Sequence, residues 1–324
     1  MAKNLFKHAK KFLPLIGIVI FIFLVLSLDV EKIKNAFLSI KPIFIVISLS
    51  LTLPRIIIRN YAWQLILKEQ KIKLSFLQSL KIFLIGYFYG TITPGYLGQL
   101  MRIPYMKEKT DEPYGKLFVN TLIEPIVHTL SLYGMIFIGA ILVLESFPDL
   151  FKISCIWIII LAIILLYFIK KERGEKLFYT LIKYLIPKKL KNNFNRFVDT
   201  FYADFPRIKK LILPLVITSS TWVIIFSQYY ILVLALGLNI PYLYFILLFP
   251  VANAVSFIPI SFAGLGAREL TAIVIFSTLF TVAKEEVFVV SLLGFLITDI
   301  CTGFIGFLVS LTEAREKVHI KPIG

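Results

Sequence analysis

Apolar residues run along this chain in long, nearly uninterrupted stretches rather than at the spaced positions of soluble helices or strands. Six stretches are long enough, or nearly so, to cross a bilayer, because a spanning helix needs about 20 mostly apolar residues. They cover residues 12–28, 42–67, 117–144, 151–169, 211–236 and 287–311. The pattern predicts an all-α polytopic membrane protein of six to eight spans, with 1–324 forming a single integral membrane domain.

Two further apolar regions, 76–106 and 242–283, are interrupted by proline and glycine. Each carries a proline, then a glycine, then an arginine four residues after that glycine. The residues are Pro94, Gly98 and Arg102 in the first region, and Pro259, Gly264 and Arg268 in the second. Backbone groups freed inside a membrane must find partners in protein or in a water-filled cavity. We therefore predict that each region is a re-entrant or broken helical hairpin.

The charge pattern predicts how these segments are oriented. The formal net charge is +16, and twelve basic residues lie in segment 170–210 alone. Basic residues favour the cytoplasmic side. A hairpin at 76–106 that enters and leaves from the inside keeps 170–210 and both termini in the cytoplasm, whereas a single crossing exports this segment. Two full membrane crossings within 76–106 are equally consistent with the distribution of basic residues.

Three further expectations follow from the placement of charge. Segment 170–210 is predicted to lie in the inner membrane interface of the cell membrane. Residues 1–28 resemble a signal peptide but lack a cleavage site, so we expect a retained first helix. Because the basic residues flank apolar stretches, we predict contact with anionic lipid headgroups and no binding of nucleic acid.

The same reasoning predicts that the second hairpin, in 242–283, enters and leaves from the outside. The chain then divides into a first repeat, 12–144, and a second repeat, 151–311, of opposite orientation. Inverted repeats are typical of transporters, and their broken segments point to the binding site.

Several charged residues lie inside the apolar stretches. Each costs about 2.5–3.5 kcal/mol at the bilayer centre, so they predict pairing or a polar cavity. Arginine beside the free N–H groups of a helix N-terminus suits a phosphate or carboxylate. The predicted binding residues are Arg102, Arg268, Arg59, Arg55, Glu124, Glu269, Gly98, Gly264, Pro94 and Pro259. Asp299 and His128 also lie within apolar stretches, and no role is predicted for them.

The alternatives for these residues are structural. Arg55 and Arg59 lie four residues apart on one helix face, and a short span lets both reach the interface. Glu124 is alternatively the structural ion-pair partner of an arginine. We find no metal-binding cluster, no nucleophile with its base and no phosphate-binding loop, so the sequence predicts neither a cofactor nor an enzyme.

These residues carry a resemblance that extends over roughly 12–311. The segments that carry it are Arg59-Asn60-Tyr61-Ala62-Trp63, Pro94-Gly95-Tyr96-Leu97-Gly98 followed by Arg102, Glu124, and Gly264-Leu265-Gly266-Ala267-Arg268-Glu269. In order and spacing they resemble the flippase-like membrane domain of the lysylphosphatidylglycerol synthases, in a stand-alone form without the soluble synthase domain. Departures from the family pattern are Gln99 in place of glutamate, and Pro125 and His128 in place of an arginine and an aspartate.

The resemblance implies movement of a lipid across the bilayer. The first hypothesis is therefore a flippase for an anionic phospholipid or a polyprenyl-phosphate-linked lipid, whose headgroup Arg102 and Arg268 hold together. The second is a membrane-embedded enzyme acting on such lipids. The third is a membrane scaffold, in which the buried charges pair with one another. The sequence makes no prediction of oligomeric state.

Overall fold

The computed structural model describes residues 15–169, 205–257 and 263–320, and the regular structure of these residues is helical. The helices of the first half are α1 (Leu15–Ser27), α2 (Val30–Ser39), α3 (Pro42–Ser50), α4 (Thr52–Glu69), α5 (Phe76–Thr91), α6 (Arg102–Lys109) and α7 (Tyr114–Leu142). The others are α8 (Pro148–Ile169), α9 (Ile208–Ala235), α10 (Tyr242–Val255), α11 (Ala267–Phe280), α12 (Lys284–Phe295) and α13 (Cys301–Ile320). A 3₁₀ segment, Pro94–Met101, joins α5 to α6, and a π-helical turn, Leu296–Ile300, joins α12 to α13.

Four helical stretches within the described residues are long and apolar enough to cross a membrane. They are Pro42–Glu69, Tyr114–Leu142, Ile208–Ala235 and Lys284–Glu313. Each matches one of the six predicted spans. The predicted span 151–169 lies within the 22-residue α8, and α1 covers most of 12–28. The protein is therefore a multi-pass membrane protein, while the total of six to eight spans stays a prediction. Segment 170–210 lies largely outside the described residues.

The backbone breaks in both regions where sequence predicts a break. Gly95 and Tyr96 adopt left-handed φ angles of 60° and 57° after α5 ends. Gly264 and Gly266 do the same, at 84° and 87°, before α11 begins. Glycine suits such angles because it has no Cβ. Pro259 lies outside the described residues.

Helix α9 contacts five other helices, α3, α4, α7, α10 and α12. Around it, aromatic side chains of α9, α10 and α11 form a buried core. These side chains include Phe226, Tyr229, Phe245, Phe249 and Phe276. A second core lies within the first half, where Trp63 of α4 and Phe83 of α5 are fully buried. The polar groups described below lie between and beside these two cores.

In two contacts, a helix of the first half packs against a helix of the second half. Helix α5 packs on α13, and α7 packs on α10. Each contact includes a glycine that touches a backbone carbonyl. A Cβ on Gly306 of α13 would overlap the Leu84 carbonyl of α5, and a Cβ on Gly139 of α7 would overlap the Leu247 carbonyl of α10. Small residues permit this close approach of helices in a membrane.

We predict that Gly139→Ala destabilises the protein by about 1–3 kcal/mol, because the added methyl group forces α7 away from α10. The matched control is Gly134→Ala on the same helix, where a Cβ meets no atom within 4 Å. This control is expected to be neutral or stabilising, since alanine favours a helix over glycine. Thermal unfolding of the detergent-purified variants measures both effects. Equal midpoints for the two variants would contradict the close packing of α7 on α10.

Candidate functional site: buried arginines around a cavity between the halves

One carboxylate holds two arginines inside the first half. Glu124 of α7 accepts from Arg59 Nε at 2.9 Å and from Arg102 Nη1 at 2.8 Å. Arg102 and Glu124 are almost fully buried, at 0% and 3% exposure. Arg102 also donates to Gln99 Oε1 at 3.1 Å. With two guanidinium groups and one carboxylate, this cluster keeps one unbalanced positive charge.

The sequence around Arg102 provides the space for its side chain. A Cβ on Gly86 of α5 would overlap the Arg102 side chain, so glycine leaves the room that the arginine fills. The guanidinium carbon lies 4.8 Å from the Phe83 ring centroid and 5.2 Å from the Trp63 ring centroid. Aromatic faces attract a guanidinium in such positions. Arg102 is thereby enclosed by protein on several sides.

The second hairpin has a different arrangement. Arg268 pairs with its neighbour Glu269, with Nη2 at 2.6 Å and Nε at 3.0 Å from Oε1. The other oxygen of Glu269 accepts from the Gly266 N–H at 2.6 Å, and Ser291 Oγ donates to Oε1 at 3.2 Å. Glu269 thus caps α11 while it neutralises Arg268. This pair is balanced in charge and fully buried.

Arg55 has partners of another kind. Its Nη2 donates to the Thr298 carbonyl at 2.9 Å and to Thr302 Oγ1 at 2.5 Å, and both partners are neutral. Its Nε has no hydrogen-bond partner. Within the described residues, no carboxylate lies within ion-pair distance of Arg55. Arg55 therefore makes no direct ion pair with any described residue, although the Asp299 carboxylate lines the same cavity, and it lies on the same helix face as Arg59.

A cavity between the two halves reaches Arg55 and Arg59. Its volume is about 40 Å³, which is room for a few water molecules. Both halves supply its walls. The lining residues are Arg55, Arg59, Tyr87, Tyr96, Gln99 and His128 from the first half, and Trp222, Ile225, Asn253, Phe257 and Asp299 from the second.

Asp299 faces this cavity from the π-helical turn. Its Oδ1 accepts from Tyr87 Oη at 2.8 Å and from Tyr96 Oη at 3.3 Å, and its Oδ2 accepts from Thr298 Oγ1 at 2.8 Å. A π-helical turn inserts one extra residue into a helix and is frequent at functional sites. Three hydroxyl donors satisfy the carboxylate without an arginine or lysine in ion-pair contact among the described residues.

His128 faces the cavity from α7. Its ring lies 4.0 Å from the Trp222 ring, centroid to centroid, and Trp222 Nε1 donates to the His128 carbonyl at 2.8 Å. The Nε2 atom of this buried histidine has no partner. Tryptophan thus fixes the imidazole and leaves one of its nitrogens unsatisfied.

The structure brings together part of the predicted site. Arg55 and Arg59 line the cavity, whereas Arg102 and Arg268 do not, and each of the latter is ion-paired with a carboxylate. Glu124 and Glu269 are both ion-paired with arginines. Pro94 and Gly98 lie in the first break, where a Cβ on Gly98 would overlap the Tyr89 carbonyl. Gly264 lies in the second break, at the start of the turn into α11.

Asp299 and His128 were missing from the predicted site. Their presence in apolar stretches was visible, and His128 lies four residues after Glu124, but no local pattern assigns either residue to a cavity. The described residues contain no group of three or more histidine, cysteine, aspartate or glutamate side chains that could hold a metal ion.

We predict that Glu124→Gln lowers stability by about 3–5 kcal/mol, because it leaves two buried guanidinium groups without their shared carboxylate. Thermal unfolding and the yield of folded protein measure this loss. Glu145→Gln is the control, since Glu145 is exposed at the end of α7. A Glu124→Gln protein as stable as the parent would show that the carboxylate does not hold the cluster together.

Comparison with known proteins places this site in a family. A family model described as the lysylphosphatidylglycerol synthase TM region matches residues 14–306, which confirms the resemblance. A search of curated proteins finds no match for the chain. The family match covers both broken hairpins, the cavity and every described residue of the arginine clusters. The chain belongs to the family defined by the transmembrane region of the lysylphosphatidylglycerol synthases.

Proposed function

We propose that the protein moves an anionic phospholipid, or a polyprenyl-phosphate-linked lipid, across the cell membrane. The family suggests a role connected with membrane lipids. The observation that carries the proposal is the cavity between the halves, in which Arg55 and Arg59 face a shared space. The cavity is smaller than a headgroup in this conformation, so the proposal requires that it widens to admit one, while the tails stay in the surrounding lipid.

Unbalanced charge is the physical argument for an anionic ligand. An arginine inside a membrane is costly unless a charge or a polar environment compensates it. Arg55 contacts only neutral oxygens, and Arg59 shares its carboxylate with Arg102. A phosphate compensates both, and the planar guanidinium donates to it through two N–H groups. A scaffold needs no such surplus, because its buried charges balance in pairs.

We propose a role for Arg102 and Arg268 that differs from the headgroup binding predicted from the sequence. Arg102 and Arg268 are enclosed by carboxylates and aromatic rings, so we assign them to holding the two broken hairpins in place. Arg55 and Arg59 take the headgroup. The geometry therefore supports binding by the pair on α4, four residues apart, rather than by one arginine from each hairpin.

The two helix contacts between the halves support an inverted repeat. If a two-fold axis relates α5 to α10 and α7 to α13, the same axis superimposes the α5–α13 contact on the α10–α7 contact. The polar positions correspond as well. Gly139 lies fifteen residues after Glu124, and Gly306 lies fifteen residues after Ser291. Glu124 bonds Arg102 of the first hairpin, while Ser291 bonds Glu269 of the second. We propose opposite orientation of the repeats, with both termini in the cytoplasm.

We predict that Arg55→Lys slows transport of a fluorescent anionic lipid in reconstituted liposomes by roughly tenfold or more, because lysine keeps the charge but loses the planar pair of donors. Arg207→Lys, at an exposed position before α9, is the control and is expected to match the parent. Parental rates for both variants would contradict phosphate binding at Arg55. A parent protein without transport would favour a scaffold.

A further prediction concerns the orientation of the two repeats in the membrane. In a background with Cys155→Ser and Cys301→Ser, cysteines replacing Lys107 and Lys284 are expected to react with an impermeant reagent from opposite sides of sealed vesicles. These positions lie at the end of α6 and the start of α12. Labelling of both positions from the same side would exclude the inverted repeat.

A further inference from the structure

The cavity between the halves has the size of a site for a very small ligand. Its volume of about 40 Å³ is space for a few water molecules. A monatomic halide ion is close to a water molecule in size, so it fits between these walls as they stand. Such an ion is far smaller than a lipid headgroup.

The two arginines that line the cavity have N–H groups left over after their contacts are counted. A guanidinium carries five N–H donors. Among the described residues, Arg55 donates only through Nη2, to two neutral oxygens, and Arg59 donates only through Nε, to Glu124. One face of the Arg59 guanidinium lies 5.2 Å from the Phe83 ring centroid. The remaining N–H groups at the ends of both side chains are available to a ligand in the cavity.

Two side-chain amides add further donors. Gln99 Oε1 accepts from Arg102, which orients the amide and leaves its NH₂ group for the cavity that Gln99 lines. Asn253 lines the cavity from α10, and it is 8% exposed. Its side-chain amide has no hydrogen-bond partner in the part of the chain that the structure describes. Because buried polar side chains are nearly always hydrogen-bonded, these amides indicate a missing acceptor.

Acceptors are scarce in the same space. Among the described residues that line the cavity, Asp299 supplies the one carboxylate. Three hydroxyl groups already donate to it, those of Tyr87, Tyr96 and Thr298. Water does not correct the excess of donors, because each water molecule brings as many donors as acceptors. An anion only accepts, so it satisfies the free N–H groups without adding more.

The charge around the cavity limits the charge of this anion. Three guanidinium groups lie in or beside the cavity, those of Arg55, Arg59 and Arg102. Two carboxylates oppose them, those of Glu124 and Asp299. One positive charge remains, and it is costly inside a membrane unless it is compensated. A monovalent anion neutralises this charge, whereas a divalent anion would reverse its sign.

We propose that the cavity binds a small monovalent inorganic anion, which is chloride under physiological conditions. Arg55 and Arg59 donate to the ion together with the amides of Gln99 and Asn253. The inference goes beyond the proposed function and does not depend on it. Because a lipid phosphate needs the same arginine donors, the bound ion and a headgroup exclude each other.

Thermal unfolding of the full-length chain in detergent and phosphate-free buffer tests the site without lipid. Sodium gluconate is replaced stepwise by sodium chloride at constant sodium concentration, because gluconate is too large for the cavity. We expect the unfolding midpoint to rise by about 2–4 °C and to saturate with chloride, since a ligand that binds the folded state stabilises it. A midpoint that does not change, or that rises without saturation, would overturn the inference.

Two variants of the same shape as the parent connect this rise to the cavity. Gln99→Glu and Asn253→Asp each replace a donor amide by a carboxylate, which also cancels the surplus charge. We expect both variants to lose the rise with chloride. The control is Asn35→Asp, the same chemical change at an exposed position of α2, and it should keep the parental rise. An equal rise in all four proteins would place the chloride outside this cavity and refute the proposal.

Crystals of the parent grown in sodium bromide locate the ion without the use of a variant, so the test stands even where a variant fails to fold. We expect an anomalous bromide peak in contact with Arg55 and Arg59. Bromide peaks elsewhere, with none in the cavity, would overturn the inference. Saturable chloride binding by a parent that moves no lipid in liposomes would leave this site standing and refute the proposed function. Lipid transport by a parent that shows no response to chloride would refute the anion site alone.

Discussion

The carboxylate of Glu124, held between Arg59 and Arg102, is the interaction on which the rest of the structure depends. It joins three elements that are separate in the chain: α4, the helix that follows the first break, and α7. In the interior of a membrane protein, charges of this kind are expensive to bury and more expensive to separate. The position of the first hairpin is therefore set by one carboxylate. Gly86 leaves space for the arginine, and Phe83 and Trp63 cover it.

The buried arginines of the two hairpins are neutralised in different ways, and the proposed site depends on that difference. In the second hairpin, Arg268 is neutralised by its neighbour Glu269, which also accepts a hydrogen bond from Ser291. In the first hairpin, one carboxylate serves two arginines. The surplus charge consequently belongs to the first half, on the α4 face where Arg55 and Arg59 meet the cavity. A symmetrical pair of balanced hairpins would bury its charges and leave no electrostatic reason for a phosphate to enter.

Local features of the sequence predicted the places where helices break. Pro94 with Gly98, and the glycines before Arg268, disrupt apolar stretches, and left-handed backbone angles occur at both places. Glu269 was a foreseeable partner of Arg268 because the two are adjacent. Burial costs also predicted that Glu124 needs an arginine, although its two partners lie 65 and 22 residues away and spacing alone does not select them.

The cavity could not be predicted from local features of the sequence. Its walls come from both halves, so membership depends on how α5, α7, α9 and α10 pack and not on any local pattern. Asp299 lines the cavity from a π-helical turn, which shifts the helix face by one residue and is not indicated by the hydrophobic pattern. His128 is oriented by Trp222, 94 residues away. The expectation that each hairpin contributes one arginine to the headgroup followed from their matching motifs, whereas the packing directs those arginines to carboxylates.

The central claim is that a lipid phosphate enters the cavity between the halves and contacts Arg55 and Arg59. An electron cryomicroscopy structure of the protein in nanodiscs rich in anionic lipid tests this claim most directly. The account predicts headgroup density within hydrogen-bond distance of both guanidinium groups, with Arg102 and Arg268 still paired to Glu124 and Glu269. Headgroup density at Arg102 or Arg268, with those ion pairs broken and the Arg55–Arg59 cavity empty, would contradict it.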